Sequence, residues 1–132
     1  MNGLATRLAA GVVALSVAAA CVGGRRPMGY VVLTAQQLEQ KLAAHEAVVI
    51  VDVREPSEFA ARHIPGARLI PYEGAAGRVL KELKKGDHIV FVCHTGPMGD
   101  ELARLLVANG YPQVANLDGG MRGWTGPTVS GS

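Results

Sequence analysis

The sequence predicts an α/β domain built on an open, mostly parallel five-stranded sheet with helices on both faces. Three observations lead there. From Tyr30 onward, short β-rich runs alternate with helical patterns, as they do when crossover helices join parallel strands. Ala47–Val53 is nearly continuous in apolar residues, as expected of a central strand covered on both faces. Val90-Phe91-Val92 runs into Cys93, and a loop with glycine and proline then leads into a helix. Open α/β sheets place their ligand sites at that carboxyl end of a strand.

Each element has its own local justification. Tyr30–Leu33 is a short strand. Thr34 caps the helix that follows, with Gln37 at the capping-box position and Leu38, Leu42 and Ala43 as its apolar stripe up to about His45. Ala47–Val53 is the second strand, ending in Asp52-Val53-Arg54, and Pro56 suits the first turn of a helix through about Arg62. Ile64-Pro65-Gly66-Ala67 turns the chain into a third strand, Arg68–Ile70. Glu73–Lys85 reads as an amphipathic helix with Val79, Leu80 and Leu83 facing inward. Gly86-Asp87 turns into the strand His88–Cys93. The next helix is expected from about Gly99 to Asn109, with Leu102, Leu105 and Leu106 on its buried face and Gly110 as its stop. Gln113–Asn116 is the last strand, Leu117–Gly120 a turn, and Met121–Trp124 a final short helix.

The chain has 132 residues, 48% of them hydrophobic, enough for one domain with a real core. Its formal charge is +2. Arg7 is the only charged residue among the first twenty, so 12 basic and 11 acidic residues leave the remainder at +1. That balance gives no footing for nucleic acid as a partner.

Met1–Ala20 reads as an export signal, with Arg7 in the positive region and an uncharged run from Leu8 to Ala20. That run is short for a spanning helix, which needs about 20 apolar residues. Ala18-Ala19-Ala20-Cys21 resembles a bacterial lipobox, with Ala18 where leucine is usual. Three readings stay open: lipid attachment at Cys21, ordinary cleavage leaving a soluble periplasmic protein, or an uncleaved anchor. All three put the domain on the periplasmic side, and the first makes it a membrane-anchored lipoprotein. Residues 21–29 then form a flexible tether, residues 30–128 the domain and residues 129–132 a tail.

Cys93 is the candidate nucleophile. A buried free cysteine often only packs, but a merely packed one gives no reason for Gly96-Pro97-Met98-Gly99 directly behind it. The helix that follows aims free backbone N–H groups and the positive end of its dipole at the sulfur, a setting that favours a thiolate and an anion beside it. Cys21 and Cys93 sit in unlike kinds of sequence, so no disulfide is expected between them. The four histidines show no metal-ligand spacing, so no metal is expected.

From about Tyr30 to Thr128 the chain resembles a single rhodanese-homology domain. Three motifs carry the resemblance: Val51-Asp52-Val53-Arg54-Glu55 with Glu58-Phe59 and His63-Ile64-Pro65-Gly66-Ala67; the Cys93 loop with Gly110-Tyr111 beyond its helix; and Leu117-Asp118-Gly119-Gly120-Met121 with Trp124. The resemblance implies a sulfurtransferase without a cofactor, working between a small sulfur donor, such as thiosulfate or a polysulfide, and a thiol acceptor, small or protein-borne. It makes Cys93 the persulfide-forming nucleophile and the backbone of His94, Thr95, Gly96, Pro97, Met98 and Gly99 the cradle. Asp52, Arg54 and Glu58 become supporting residues that tie loops together, and His63 holds a turn. Six residues, Cys93 to Met98, precede the small Gly99. That length fits the sulfur-handling branch; relatives handling phosphate or arsenate have a loop one residue longer. Met98 stands where many members carry an arginine that helps to hold an anionic donor. Its absence points toward a less charged donor and, with the expected tether, toward a non-catalytic sulfur carrier or interaction module; a phosphatase-like or arsenate-reducing domain is a further alternative, disfavoured by the loop length.

Overall fold

The computed structural model describes residues 29–132. The expected signal, Cys21 and most of the expected tether lie outside the described residues. The order of elements is β1 (Val31–Leu33), α1 (Ala35–Ala43), β2 (Val48–Asp52), α2 (Pro56–Ala61), β3 (Arg68–Leu69), α3 (Ala75–Glu82), β4 (His88–Val92), α4 (Pro97–Ala108), β5 (Val114–Leu117) and a 3₁₀ helix, Gly120–Gly123. The five strands form one sheet in the order β1-β5-β4-β2-β3, parallel at every pairing. The predicted architecture is therefore present.

The order of the strands decides where a site can form. From β2 the chain crosses outward to β3, whereas from β4 it crosses the other way, to β5. β2 and β4 are neighbours in register, Asp52 opposite Val92. Their carboxyl ends thus flank the point where the winding reverses, the place in such sheets where a crevice opens.

The period-2 alternation of the strands splits the core into two layers. Val51, Ile89, Phe91 and Val114 pack with Val79 of α3 and with Leu102, Ala103 and Leu106 of α4. Ile50, Val90, Val92, Ala115 and Leu117 face the other way, against Leu38 of α1 and against Ile64, Met121 and Trp124. Gly110 turns the chain so that the Tyr111 hydroxyl donates to the Leu83 carbonyl at 2.8 Å, satisfying the end of α3.

Several boundaries differ from expectation. α4 begins at Pro97, two residues before Gly99, because proline's fixed φ suits the first helical position and Gly96 adopts the unusual conformation ahead of it. Leu80 is exposed and Ala43 lies on the solvent side, so the buried stripes of α3 and α1 are narrower than expected. Leu117 ends β5 instead of opening a turn. Residues 129–132 are not a loose tail throughout: Val129 and His63 exchange two backbone hydrogen bonds of 2.9 Å, and Gly131 N–H donates to the Ala60 carbonyl.

Tyr30 closes the alkaline side of the stability curve. Its ring is 3% exposed, and its hydroxyl donates to Asp100 Oδ1 at 2.9 Å. Burial first, then the hydrogen bond and the negative charge of Asp100, raise its pKa above the ordinary tyrosine value, with Arg104 opposing. The folded protein therefore holds this proton when the unfolded chain has lost it. The stabilisation is complete below about pH 10 and is lost as pH rises through the raised value. Urea midpoints measured on either side of pH 10 should fall less steeply for Tyr30→Phe than for the parent. Equal slopes would refute the assignment.

Candidate active site

Cys93 stands one residue past β4, with 1% of its surface exposed. Its sulfur is met by one amide: Gly96 N–H donates to Cys93 Sγ at 2.9 Å. The expected ring of amides is thus narrower than the sequence suggested. Pro97 has no N–H to give, and among the described residues no other backbone donor bonds to the sulfur. Gly96 reaches this geometry at φ +129° and ψ −40°, a conformation that side-chain-bearing residues rarely take. It is also the residue ahead of α4, so the positive end of the helix dipole lies at the loop.

The outside of the loop faces an open cleft of about 470 Å³ lined by Arg54, Arg62, His94, Thr95, Met121 and Arg122. That size suits a small ligand. Of the predicted cradle, only His94 and Thr95 line it. Met98, in the first turn of α4, does not line the cleft and packs against the core layer that also holds Cys93. Gly99 fits because nothing larger can: a Cβ there would lie 2.0 Å from Asn116 Oδ1 and 3.2 Å from Phe91 Cβ.

The supporting residues divide by burial. Asp52 and Arg54 form a buried two-point pair, Nη2 to Oδ2 at 2.7 Å and Nε to Oδ1 at 3.0 Å, and Arg54 also donates to the Arg62 carbonyl at 2.6 Å. The guanidinium thereby ties the end of β2 to the end of α2, and the carboxylate beside it balances its charge. Glu58 reaches across to the loop: its Oε1 lies 2.7 Å from His94 Nε2, while its Oε2 accepts the Glu55 N–H. His63 stacks on Phe59 with ring centroids 3.7 Å apart, and its Nδ1 lies 2.7 Å from the Phe59 carbonyl. Trp124 belongs to the core, its Nε1 donating to the Pro127 carbonyl. Among the described residues no group of three His, Cys, Asp or Glu is placed to hold a metal ion.

Sequence reasoning missed two cations, Arg62 and Arg122. Arg62 spends one donor on the Met121 carbonyl at 3.0 Å, and neither side chain has a carboxylate partner among the described residues. Their net charge is what the paired Arg54 and Asp52 do not supply. The motifs around them were visible; that the two guanidiniums share one cleft was not.

The 3₁₀ helix holds the loop from behind. Met121 N–H donates to the Cys93 carbonyl at 2.8 Å, and Arg122 N–H to the His94 carbonyl at 3.0 Å. Gly120 must be bare for this approach: a Cβ there would lie 2.3 Å from the Cys93 oxygen and 2.6 Å from His94 C and O, all backbone.

With this geometry in view, the chain can be compared with known proteins. The family model for the rhodanese-like domain matches residues 34–127, and the chain belongs to that family. Among its relatives, the thiosulfate sulfurtransferase GlpE of Pseudoalteromonas translucida is 36% identical over 90 residues, covering 68% of this chain and 83% of that one. A sulfurtransferase of Allochromatium vinosum is 34% identical over 92 residues, covering 70% and 85%. "Putative sulfur carrier protein YrkF" of Bacillus subtilis is 36% identical over 96 residues, 73% of this chain, which spans only 51% of that relative. In three dimensions the crystal structure of a rhodanese-like domain protein from Staphylococcus aureus superposes with a TM-score of 0.69 at 32% identity, covering 76% of this chain and 98% of that one.

Two glycine substitutions separate close approach from backbone preference. Gly119 has φ +71°, with 3.8 Å of room to the nearest atom. Gly119→Ala should cost about 1 kcal/mol in urea unfolding, the cost of a left-handed residue. Gly120→Ala meets both that cost and the collision with the cysteine loop, and should cost about 2–4 kcal/mol. Equal losses would mean that the backbone contact is not formed.

Proposed function

We propose that the protein is a sulfurtransferase that works through a persulfide on Cys93. The observation that carries this reading is the Gly96 N–H fixed 2.9 Å from a cysteine sulfur at the switch point of the sheet. The family and its named sulfurtransferase members support it.

The chemistry needs no group from outside the chain and the two substrates. The Cys93 thiolate attacks the outer sulfur of a donor such as thiosulfate. A new S–S bond forms at Cys93, the donor's own S–S bond breaks, and sulfite leaves with the electron pair. The outer sulfur of the persulfide is then attacked by an acceptor thiolate. That sulfur moves to the acceptor, and Cys93 leaves as a thiolate, ready for another donor. The Gly96 N–H stabilises negative charge on the cysteine sulfur at the start and end of this cycle. Burial of Cys93 restricts access to a slim terminal sulfur and excludes bulk water from the persulfide.

The donor's anionic head would rest in the adjoining cleft, where Arg62 and Arg122 face it. This revises the expectation drawn from Met98. The chain lacks the loop arginine, yet two guanidiniums from α2's exit and the 3₁₀ helix line the same space, so thiosulfate is not disfavoured for want of charge. The sulfur-carrier reading keeps a place beside this one because the relative YrkF bears that name. It differs in expecting persulfide formation without turnover onto small thiols.

Intact mass after exposure to thiosulfate should show the gain of one sulfur atom, reversible by a small thiol and absent in Cys93→Ser, whose hydroxyl cannot stand in for a thiolate. No gain with either thiosulfate or polysulfide would overturn the enzyme and carrier readings together. A gain that no small thiol removes would leave the carrier.

Arg62→Gln combined with Arg122→Gln should raise KM for thiosulfate about tenfold or more, roughly the loss of one to two charge-assisted hydrogen bonds. Uptake from a polysulfide, whose anion is carried differently, should change less. An unchanged KM for thiosulfate would remove both residues from donor binding.

A further inference from the structure

Asn116 on β5 has no part in the motifs that identify the site, yet it is 2% exposed, polar and in contact with the cysteine loop. Its Nδ2 donates twice, to the Gly96 carbonyl and to Asp100 Oδ1, both at 2.9 Å. Asp100 Oδ1 also accepts the Tyr30 hydroxyl at 2.9 Å, and Asp100 N–H donates to the same Gly96 carbonyl at 3.0 Å. Asn116 Oδ1 is buried without a partner and lies against the bare Cα of Gly99. The carbonyl of one glycine is thus held by the Asn116 side chain and the Asp100 N–H, while the Asp100 carboxylate, itself bonded by Tyr30, holds the Asn116 amide.

That glycine is the one whose N–H meets the sulfur. We infer that Asn116, held by Asp100 and Tyr30, is a positioning residue for Cys93: by fixing the Gly96 carbonyl it fixes the Gly96 N–H on the thiolate. The physical need is specific. Glycine at φ +129° sits in a region where its two flanking peptide planes turn with little resistance. The plane carrying the N–H is useful only while it stays aimed at Sγ. Anchoring the plane on the other side of the same Cα removes that freedom. An amide side chain suits the task, since one NH₂ reaches two acceptors at once, the carbonyl and the carboxylate. Asp100 in turn sets the orientation of that NH₂ and is itself steadied by Tyr30. The unpaired Oδ1 is the cost of this arrangement: burying an acceptor without a donor is unfavourable by about 1–3 kcal/mol, and an apolar side chain of the same size would avoid it. Packing alone gives no reason to keep an asparagine there.

This inference rests on Cys93 being the reactive nucleophile, and the experiment reads that reactivity without any sulfur donor. In the full chain, alkylation of Cys93 by iodoacetamide is followed by peptide mass, so that Cys21 does not enter the signal, across pH 5 to 10 (about the range in which a cysteine titrates). Asn116→Leu should move the midpoint of the profile upward by about one pH unit and slow alkylation by about tenfold at pH values below both midpoints, the two being the same loss of thiolate stabilisation. Asp100→Ala should move it in the same direction by less. Asp100→Asn, which keeps an acceptor oxygen at the same place, should restore most of the parent profile. Tyr30→Phe should give the smallest shift.

A merely structural role predicts the opposite sign. Cys93 is buried, so loosening of the fold exposes it and speeds alkylation. Parent-like profiles in Asn116→Leu and Asp100→Ala, or faster alkylation in both, would overturn the inference. Should Asn116→Leu fail to fold, the Asp100→Ala and Asp100→Asn pair decides alone. A shifted profile in a protein that takes up no sulfur would leave the positioning role standing and reject the sulfurtransferase reading, so the two failures are distinguishable.

Discussion

The structure depends on how one short loop is gripped. Between the end of β4 and the start of α4 lie four residues, Cys93 to Gly96, and they are held from three sides. Gly120 and the 3₁₀ helix press on the Cys93 and His94 carbonyls from behind. Asn116 holds the Gly96 carbonyl from below. Glu58 meets His94 at the rim. A loop with two exposed residues and a glycine at positive φ would otherwise sample many shapes. Here backbone-to-backbone contact, which tolerates no added atom at Gly120, leaves it one. The Cys93 sulfur is placed by what surrounds it more than by its own neighbours in sequence.

The electrostatics follow the same division of labour. Arg54 looks like an active-site cation in the sequence, but its buried two-point pair with Asp52 makes it a structural tie whose charge is answered in place. Arg62 contributes its backbone carbonyl to that tie and leaves its guanidinium for the cleft. Arg122 does the same on the other side: its N–H serves the loop and its side chain lines the cleft. Two residues thus join the scaffold by their main chain and the cleft by their side chain. Positive charge collects in the cleft beside His94 and Thr95 without any cation being buried alone, which would be far more costly.

The tyrosines show how the domain closes on itself. Tyr30 links the start of β1 to the first turn of α4 through Asp100, and Tyr111 caps α3 from the far end of α4. α4 is therefore pinned at both ends by phenolic hydroxyls on the layer of core that also holds Cys93. A helix so fixed keeps its N-terminus aimed at the loop.

The amino-acid sequence by itself determined the five strands and their helices, because each is written in local patterns: apolar runs, a capping box at Thr34, prolines at helix starts. It singled out Cys93 as the candidate nucleophile, because a cysteine ahead of glycine and proline at a strand end is also a local pattern. It misjudged the start of α4 by two residues, since Gly99 is small for packing against Asn116 and not for opening a helix. It could not assign the partners of Asn116, Asp100 and Tyr30, nor bring Glu58 to His94 or Arg62 to Arg122. Those pairs lie from 16 to 70 residues apart in the chain. Their meeting is fixed by strand order and by the reversal of winding between β2 and β4, and spacing along a chain carries no record of distances that only tertiary folding sets.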